Sequence, residues 1–304
     1  MKKVLLSVCI VCLHASVVSA QSWDLTGNSG TNPAINFVGT TDSQPLVFKA
    51  KNKKAGLIDF NSAKANTVFG YQAANSTTGA SNSAFGYEAL FANIAGYSNV
   101  AIGRAALRNN QYGHNLVAIG DSALYNQQND NFQQYGNTAV GSKTLFSNAY
   151  GFNNTALGYR ALYSNDGSSN TAVGSLALLN NTSGSSNTAT GSNSLYYNTS
   201  GIGNTANGTY ALHNNTIGYS NVAIGSSALA ANVSGNYNVA TGIFALSSNI
   251  VGNNNIAIGP YALNENSSGY SNVAVGTNTL FNNTAGHNLV AVGDSALYNY
   301  TGSS

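Results

Sequence analysis

The sequence predicts an all-β fold: a parallel β-solenoid of the β-roll type with a small N-terminal β cap. Three observations predict it, namely a repeat of about 17 residues, a glycine at one fixed position of every copy, and apolar residues in fixed columns. A unit this short cannot bury its own apolar face, but stacked units can, because each coil donates backbone hydrogen bonds to the next. The sequence therefore predicts about fourteen stacked coils.

The repeat is centred on a glycine, which we number position 0, and it occupies residues 66–304. Two neighbouring copies read Asn170-Thr-Ala-Val-Gly174 and Asn187-Thr-Ala-Thr-Gly191. Fourteen such glycines occur; ten of their thirteen spacings are 17 residues, two are 16, and one that holds an insertion is 21. Position −2 is Ala and position +4 is Leu in thirteen copies each, and Asn dominates positions −4 and +7.

These columns can be interpreted physically. The Asn-Thr-Ala-Val-Gly segment alternates β-branched and small residues, which is typical of a strand, and we expect the following Ala-Leu segment to form a second short extended piece. Gly and Asn are expected at the corners because both tolerate positive φ. The Ala and Leu columns are expected to form a narrow dry interior, and stacked Asn side chains to form amide ladders at the corners. Glycine and asparagine in every copy argue against a helix.

Residues 1–20 are predicted to be a secretory signal peptide, because Lys2 and Lys3 precede an apolar run from Val4 to Val18 and small residues end at Ala20. This run is shorter than the ~20 residues of a membrane span, and the mature chain is predicted to have no transmembrane segment. Without the leader the chain has 9 basic residues, 9 acidic residues and no cysteine. Zero net charge argues against nucleic-acid binding and electrostatic membrane binding. We expect an exported protein, extracellular or at the cell surface.

Residues 21–65 differ from the repeats and are predicted to form an N-terminal cap over the open edge of the first coil. They hold the single Trp of the chain, two of its three Pro, and short segments with strand character such as Pro45-Leu-Val-Phe48. They also hold a cluster of lysines. Two interpretations remain open for it: binding of an acidic glycan, or a solvated edge in which lysine opposes strand pairing. The lysines are Lys49, Lys51, Lys53, Lys54 and Lys64.

The repeat resembles that of a known family. Asn221-Val-Ala-Ile-Gly225 and Asn272-Val-Ala-Val-Gly276 are similar to the head repeats of trimeric autotransporter adhesins of the YadA type, although that family's usual repeat is shorter. They are also similar to the repeat shafts of phage-tail-like and endosialidase-chaperone proteins. The adhesin resemblance implies a left-handed parallel β-roll, a homotrimer at the bacterial outer membrane, and binding to host surfaces or matrix proteins. The partner expected for this chain is a glycan of a host or environmental surface, or a matrix protein.

Catalysis is not expected, because the acids of the repeats stand in different coils and mostly in different columns. The nearest pair is Glu88 and Asp121, whereas a hydrolase needs two carboxylates flanking one scissile bond. His114, His213 and His287 are too far apart in sequence to share a metal in such a fold. We predict no enzyme activity, no metal and no cofactor.

A candidate binding stripe lies at position +5, where aromatic residues are frequent. Tyr and Phe along one side of the fold would stack on sugars or pack against a protein, but structural packing, including packing in a trimer interface, would explain the same column. The stripe consists of Phe91, Tyr125, Phe146, Tyr163, Tyr196, Phe281 and Tyr298.

A candidate subunit interface is predicted at positions −3 and −1, which point to the face opposite the Ala column. These positions are mainly apolar or Thr, and an exposed face of this kind would aggregate unless covered, which predicts a homo-oligomer. Paired Thr occurs at Thr188 and Thr190 and leaves ice binding as a minor alternative. The face includes Thr138, Val140, Thr155, Leu157, Thr171, Val173, Val222, Ile224, Ile256, Ile258, Val273 and Val275.

Together these patterns predict an exported surface adhesin-like or fibre-like repeat protein that attaches by multivalent contact. The alternative is a purely structural shaft or matrix protein without a ligand of its own. The two differ in whether the surface columns of the repeats recognise anything beyond other copies of the chain.

Overall fold

The computed structural model describes residues 29–301, apart from residues 33, 35, 36, 62, 76 and 129–135. The predicted signal peptide, residues 1–20, lies outside the described residues, as do the first residues of the predicted cap and most of the insertion. The chain divides into two compact units, Met1–Thr41 and Asp42–Ser304. The described part of the first unit contains no strand, and all the repeats belong to the second.

The second unit is an all-β solenoid, which confirms the predicted fold. Its described residues form sixteen strands in one sheet, ordered as in the sequence, and β3 to β16 are parallel and stack over about thirteen turns. The strands are β1 (Leu46–Ala50), β2 (Lys53–Ile58), β3 (Thr67–Phe69), β4 (Ser83–Phe85), β5 (Val100–Ile102), β6 (Val117–Ile119), β7 (Thr138–Val140), β8 (Thr155–Leu157), β9 (Thr171–Val173), β10 (Thr188–Thr190), β11 (Thr205–Asn207), β12 (Val222–Ile224), β13 (Val239–Thr241), β14 (Ile256–Ile258), β15 (Val273–Val275) and β16 (Val290–Val292).

A hairpin precedes the repeats. β1 and β2 pair antiparallel through a two-residue turn at Lys51 and Asn52, both at positive φ, as hairpin turns require. β2 then pairs antiparallel with β3, with Gly56 opposite Phe69 and Ile58 opposite Thr67. The hairpin therefore occupies the edge of β3 that would otherwise expose unpaired backbone groups.

The interior is formed by the alanines of the strands and the Ala-Leu pairs that follow the glycine. Strand pairing keeps each alanine opposite the alanine of the next coil, as in Ala172, Ala189 and Ala206. These alanines and the leucines at position +4, such as Leu195 and Leu212, are fully buried in one continuous core. The predicted narrow interior, built from a column of alanines and a column of leucines, is confirmed.

The Ala-Leu segment is not a second extended piece, and that prediction was wrong. It is a tight turn in which the leucine adopts left-handed backbone geometry, with φ of 50° at Leu195 and at Leu212. A non-glycine residue there costs about 1–2 kcal/mol. Two features offset this cost: the side chain is fully buried, and Leu195 N donates to Ala211 O of the next coil at 3.0 Å. Left-handed geometry is thus how the chain turns while its N–H groups stay paired between coils.

Two constraints, positive φ and lack of space for a Cβ, require glycine at the central position. At Gly191 φ is +130°, and a Cβ there would lie 2.6 Å from the carbonyl oxygen of Gly208 in the next coil. Other residues would therefore be strained and would also push the coils apart. This column is a true corner of each coil, as the sequence predicts.

Positive φ was the reason to expect asparagine at the corners, and that reason is wrong, because no asparagine of the two columns in the described residues has positive φ. Both columns are buried and form the predicted amide ladders, which lie inside the solenoid. Asn204 N donates to Asn187 Oδ1 at 2.9 Å, and Asn204 Nδ2 donates to Gly218 O at 2.8 Å. Asn215 Nδ2, in the second ladder, donates to the same carbonyl at 2.9 Å. The asparagines replace water as partners for buried backbone groups.

Two coils depart from the first ladder, one at Leu289, whose N–H donates to Asn272 Oδ1 at 3.0 Å, and one at Leu116. Its N–H still donates to Asn99 Oδ1 at 3.1 Å, but its side chain continues no ladder. Gln127, which stands at position +7 of the same coil, compensates: its Oε1 accepts from Asn137 Nδ2 at 3.0 Å and from Asn148 Nδ2 at 2.8 Å. The longer glutamine amide therefore serves both ladders at this coil.

Candidate binding surfaces

Five of the seven rings in the predicted aromatic stripe form two stacks along successive coils, Phe91 and Tyr196 stack on no other ring of the stripe, and all seven are half-buried except the exposed Tyr298. The ring centroids of Tyr125 and Phe146 are 5.1 Å apart, and those of Phe146 and Tyr163 are 5.2 Å apart with nearly parallel planes. Phe281 and Tyr298 stack in the same way at 5.1 Å. Stacked rings at the coil spacing stabilise the array against sliding of one coil over another.

The stripe is not continuous, since position +5 is Ala230, Ser247 and Asn264 between its two ends. Two aromatic residues at position +2, Phe244 and Tyr261, occupy this region and stack at 5.4 Å. Sequence reasoning missed them because position +2 looks irregular. A signal was present: two of the three coils that lack an aromatic at +5 here carry one at +2, and the third has Ser227 there.

Arg108 joins the first two rings of the stripe. Its guanidinium lies 4.9 Å from the ring centroid of Phe91 and 5.8 Å from that of Tyr125, within cation–π range. Its Nε also donates to Glu88 Oε2 at 2.5 Å, and only 14% of the Glu88 side chain is exposed. The hydrogen bond from Arg108 lowers the pKa of Glu88 below its ordinary value.

Both carboxylates that the sequence marked as the nearest pair are engaged with arginines. Glu88 binds Arg108, and Asp121 Oδ1 lies 3.6 Å from Arg104 Nη1 on the surface. Each carboxylate thus forms an ion pair with an arginine, and such pairs have a structural role. In the described ranges, no group of three or more His, Cys, Asp or Glu side chains is placed to hold a metal ion. The part of the chain that the structure describes also contains no helix long and apolar enough to cross a membrane.

The predicted interface face lies along the strands, on either side of the buried alanines. Within each strand positions −3 and −1 are half-buried or exposed; Leu157, Ile224 and Ile258 have exposed fractions of 47%, 43% and 42%. The register places like residues opposite each other, for example Val222 opposite Val239. The result is a strip of apolar and threonine side chains on the outer side of the sheet, which we call the apolar strip and which is separate from the aromatic stripe.

The members of this face differ in exposure. Those that are half-buried are Thr138, Val140, Thr171, Val173, Val222, Val273 and Val275. Those that are exposed are Thr155, Leu157, Ile224, Ile256 and Ile258. Thr188 and Thr190 lie on the same face in β10, and the next strand, β11, places Thr205 and Asn207 there; valine and isoleucine dominate only from β12 onward.

Two tyrosine–histidine stacks recur at matching positions of a duplicated segment. The centroids of Tyr97 and His114 are 4.5 Å apart, and those of Tyr270 and His287 are 4.4 Å apart, with nearly parallel rings in both. The two histidines are the second residues of the near-identical stretches that begin at Gly113 and at Gly286. The same sequence thus gives the same local geometry at both places.

Two grooves lie beside the aromatic stripe, in the middle of the repeats. One, of about 580 Å³, is lined by hydroxyl and amide side chains and by the exposed ring of Tyr197. The other, of about 330 Å³, lies next to it and includes Tyr210, His213 and Phe244. Both grooves contain Asn214 in their linings. Sequence reasoning missed these residues because the stripe was defined from position +5 alone.

Comparison with protein-family models, curated proteins and solved structures finds no match to this chain. The resemblance to adhesin head repeats therefore stays an expectation from the sequence.

Proposed function

We propose that the protein is an exported adhesin-like or fibre-like repeat protein that attaches to a surface by multivalent contact and has no catalytic role. The observation that supports this proposal is the register of the solenoid: equivalent repeat positions pair across coils, as Thr188 pairs with Thr205 and Val239 with Ile256. Each surface position therefore recurs once per coil, and weak contacts repeated at a fixed spacing add to a large avidity.

The proposal includes assembly into a homo-oligomer through the face formed by positions −3 and −1. Isolated apolar side chains are normal on protein surfaces, but a contiguous apolar patch is a typical interaction site. In β12 to β15 seven of the eight outward positions are apolar. The resemblance to trimeric adhesin heads makes a trimer the expected state. Export to the cell surface, as the leader predicts, is part of the same proposal.

A purely structural shaft is the second candidate, and one observation favours it. The rings of Tyr125, Phe146 and Tyr163 stack on one another and are half-buried, so much of their surface is already used within the chain. Rings in this state stabilise the coil stack and offer less to a ligand.

A density-dependent binding assay separates the two. Surfaces coated with matrix proteins or glycans at graded density are exposed to the purified chain, and bound protein is measured optically. Multivalent attachment predicts that the apparent affinity rises steeply once ligands are closer together than the length of the repeat array. A shaft without a ligand predicts no binding at any density.

A further inference from the structure

The larger groove is lined by two rows of polar side chains, each contributed once per coil. Asn180, Tyr197 and Asn214 stand at position +6 of three successive coils, and Thr182, Thr199 and Thr216 stand two residues later in the same coils. Successive coils are about 4.8 Å apart, which is close to the length of one hexose in an extended chain. Each coil therefore presents one amide or aromatic ring and one hydroxyl group to the groove, at a spacing close to that of successive hexoses.

The threonine hydroxyls have fixed orientations. Thr182 Oγ1 donates to Thr199 O at 2.9 Å, and Thr199 Oγ1 donates to Thr216 O at 3.0 Å. A hydroxyl that donates to a carbonyl still accepts through its lone pairs. The row is therefore an ordered set of acceptors for hydroxyl groups of a ligand, with its side-chain entropy already lost in the free protein.

Tyr197 provides a preformed aromatic platform. Its ring packs edge-on against Tyr196 at 4.6 Å and against His213 at 5.3 Å, and the residue remains 47% exposed. Asn180 Nδ2 donates to Tyr196 O at 3.1 Å, which holds the neighbouring amide in place. A rigid exposed ring flanked by amides is suited to a flat ligand with one apolar face and hydroxyl groups around its edge.

The charge distribution selects the class of ligand. From Gly167 to Asn264 the sequence contains no Asp, Glu, Lys or Arg, and both grooves lie almost entirely in this stretch. An anionic glycan would lose hydration without gaining a cationic partner. A neutral ligand loses no charge hydration, and amides and hydroxyls satisfy its polar groups.

We propose that this groove binds a neutral oligosaccharide, with Tyr197 stacking on a pyranose ring and Asn180, Asn214 and the threonine hydroxyls bonding its hydroxyl groups. The smaller groove extends the site toward Phe244, because Asn214 lines both. The inference deepens the proposed attachment function, on which it rests, by naming the ligand class and the place.

The test uses the full chain and neutral hexasaccharides of glucose and of N-acetylglucosamine, with a heparin-derived hexasaccharide as the charged comparison. Calorimetry or an array is expected to show binding of at least one neutral probe and no binding of the charged one at this site. Tyr197→Ala is expected to weaken that binding about three- to tenfold, as loss of one stacked ring does, and Tyr197→Phe to preserve it.

Tyr150→Ala is the matched control, because Tyr150 is 60% exposed and lies outside both groove linings. It should leave affinity unchanged, and circular dichroism should show that all variants fold. Neutral-glycan binding that Tyr197→Ala does not weaken overturns the groove assignment but leaves attachment standing. Binding of matrix protein or heparin without any neutral glycan overturns the ligand class alone. No binding to any surface overturns both this inference and the proposed function.

Discussion

Asn215 Nδ2 donates to Asn198 Oδ1, one coil earlier, at 2.7 Å, and both side chains are fully buried. The same relationship continues to Asn232, whose Nδ2 donates to Asn215 Oδ1 at 2.7 Å. An asparagine side chain can both donate and accept, and this is what allows a chain of identical residues to satisfy itself without water. The solenoid interior thus combines an apolar core with two polar ladders.

Replacing Asn215 by alanine is expected to destabilise the protein by about 2–5 kcal/mol, because buried groups on Asn198, Asn232 and Gly218 each lose a partner. The measurement is urea denaturation followed by circular dichroism. Asn214→Ala is the control: its side chain is exposed, and the expected change is within about 0.5 kcal/mol. Equal effects of the two substitutions would contradict a role for the ladder.

Replacing a central glycine should be far more disruptive than replacing a glycine at a roomier corner. Gly208 has φ of +142° and its added Cβ would lie 2.5 Å from Gly225 O, whereas Gly203 has φ of +68° and meets only Ser220 Oγ at 3.8 Å. Gly208→Ala is expected to cost more than about 4 kcal/mol or to prevent folding. Gly203→Asn should be tolerated, since equivalent positions of other coils hold Asn115 and Asn153 at positive φ. Thermal unfolding of both variants tests this.

The Arg108–Glu88 pair predicts a pH-dependent contribution to stability. The pKa of Glu88 is lowered in the folded protein by the hydrogen bond from Arg108. The contribution is therefore fully present above the unfolded-state pKa of about 4.3 and is lost as pH falls through the lower folded-state pKa.

Arg108→Gln is expected to cost about 1 kcal/mol at pH 7, and the difference from the native chain should shrink below about pH 4. Part of the difference should persist at low pH, because the guanidinium also lies over the Phe91 ring. Arg104→Gln removes an exposed pair and should change little. A difference that is constant from pH 7 to pH 3 would disprove the ionic contribution.

The apolar strip of the sheet predicts an assembly defect that leaves folding intact. Ile258→Lys places a charge within the proposed interface, at a residue that is 42% exposed in the single chain. The expected result is a fall in solution mass to that of one chain with an unchanged circular dichroism spectrum. Ile217→Lys, at a residue that is 56% exposed and outside the strands, should leave the mass unchanged.

The features of the fold that could be predicted from the sequence are those that repeat at one position in nearly every coil. The central glycine, the buried alanine and the leucine column repeat in nearly every coil, and each has one physical explanation, so the solenoid and its core followed from the sequence. The amide ladders were also predicted, but not the backbone geometry of their residues: Asn187 and Asn198 do not adopt positive φ, and their side-chain hydrogen bonds explain the columns instead.

Three other features could not be predicted, because they depend on contacts between separate coils. Left-handed geometry at Leu195 contradicts the local preference of leucine, and only pairing between coils and burial make it favourable. The aromatic side chains of Phe244 and Tyr261 stand three residues before the column where aromatics were expected, and the fold alone shows that the two columns run side by side. The groove at Tyr197 likewise depends on positions +6 and +8 of separate coils lying together.

The proposal that the chain forms a homo-oligomer through positions −3 and −1 is tested most directly by the solution mass of the native chain. This mass is measured by light scattering after size exclusion over a range of protein concentrations. Assembly through the strip that contains Ile224, Ile256 and Ile258 predicts a stable mass near that of three chains at every concentration. A well-folded single chain at every concentration would contradict it, and would leave the strip as an open surface for some other partner.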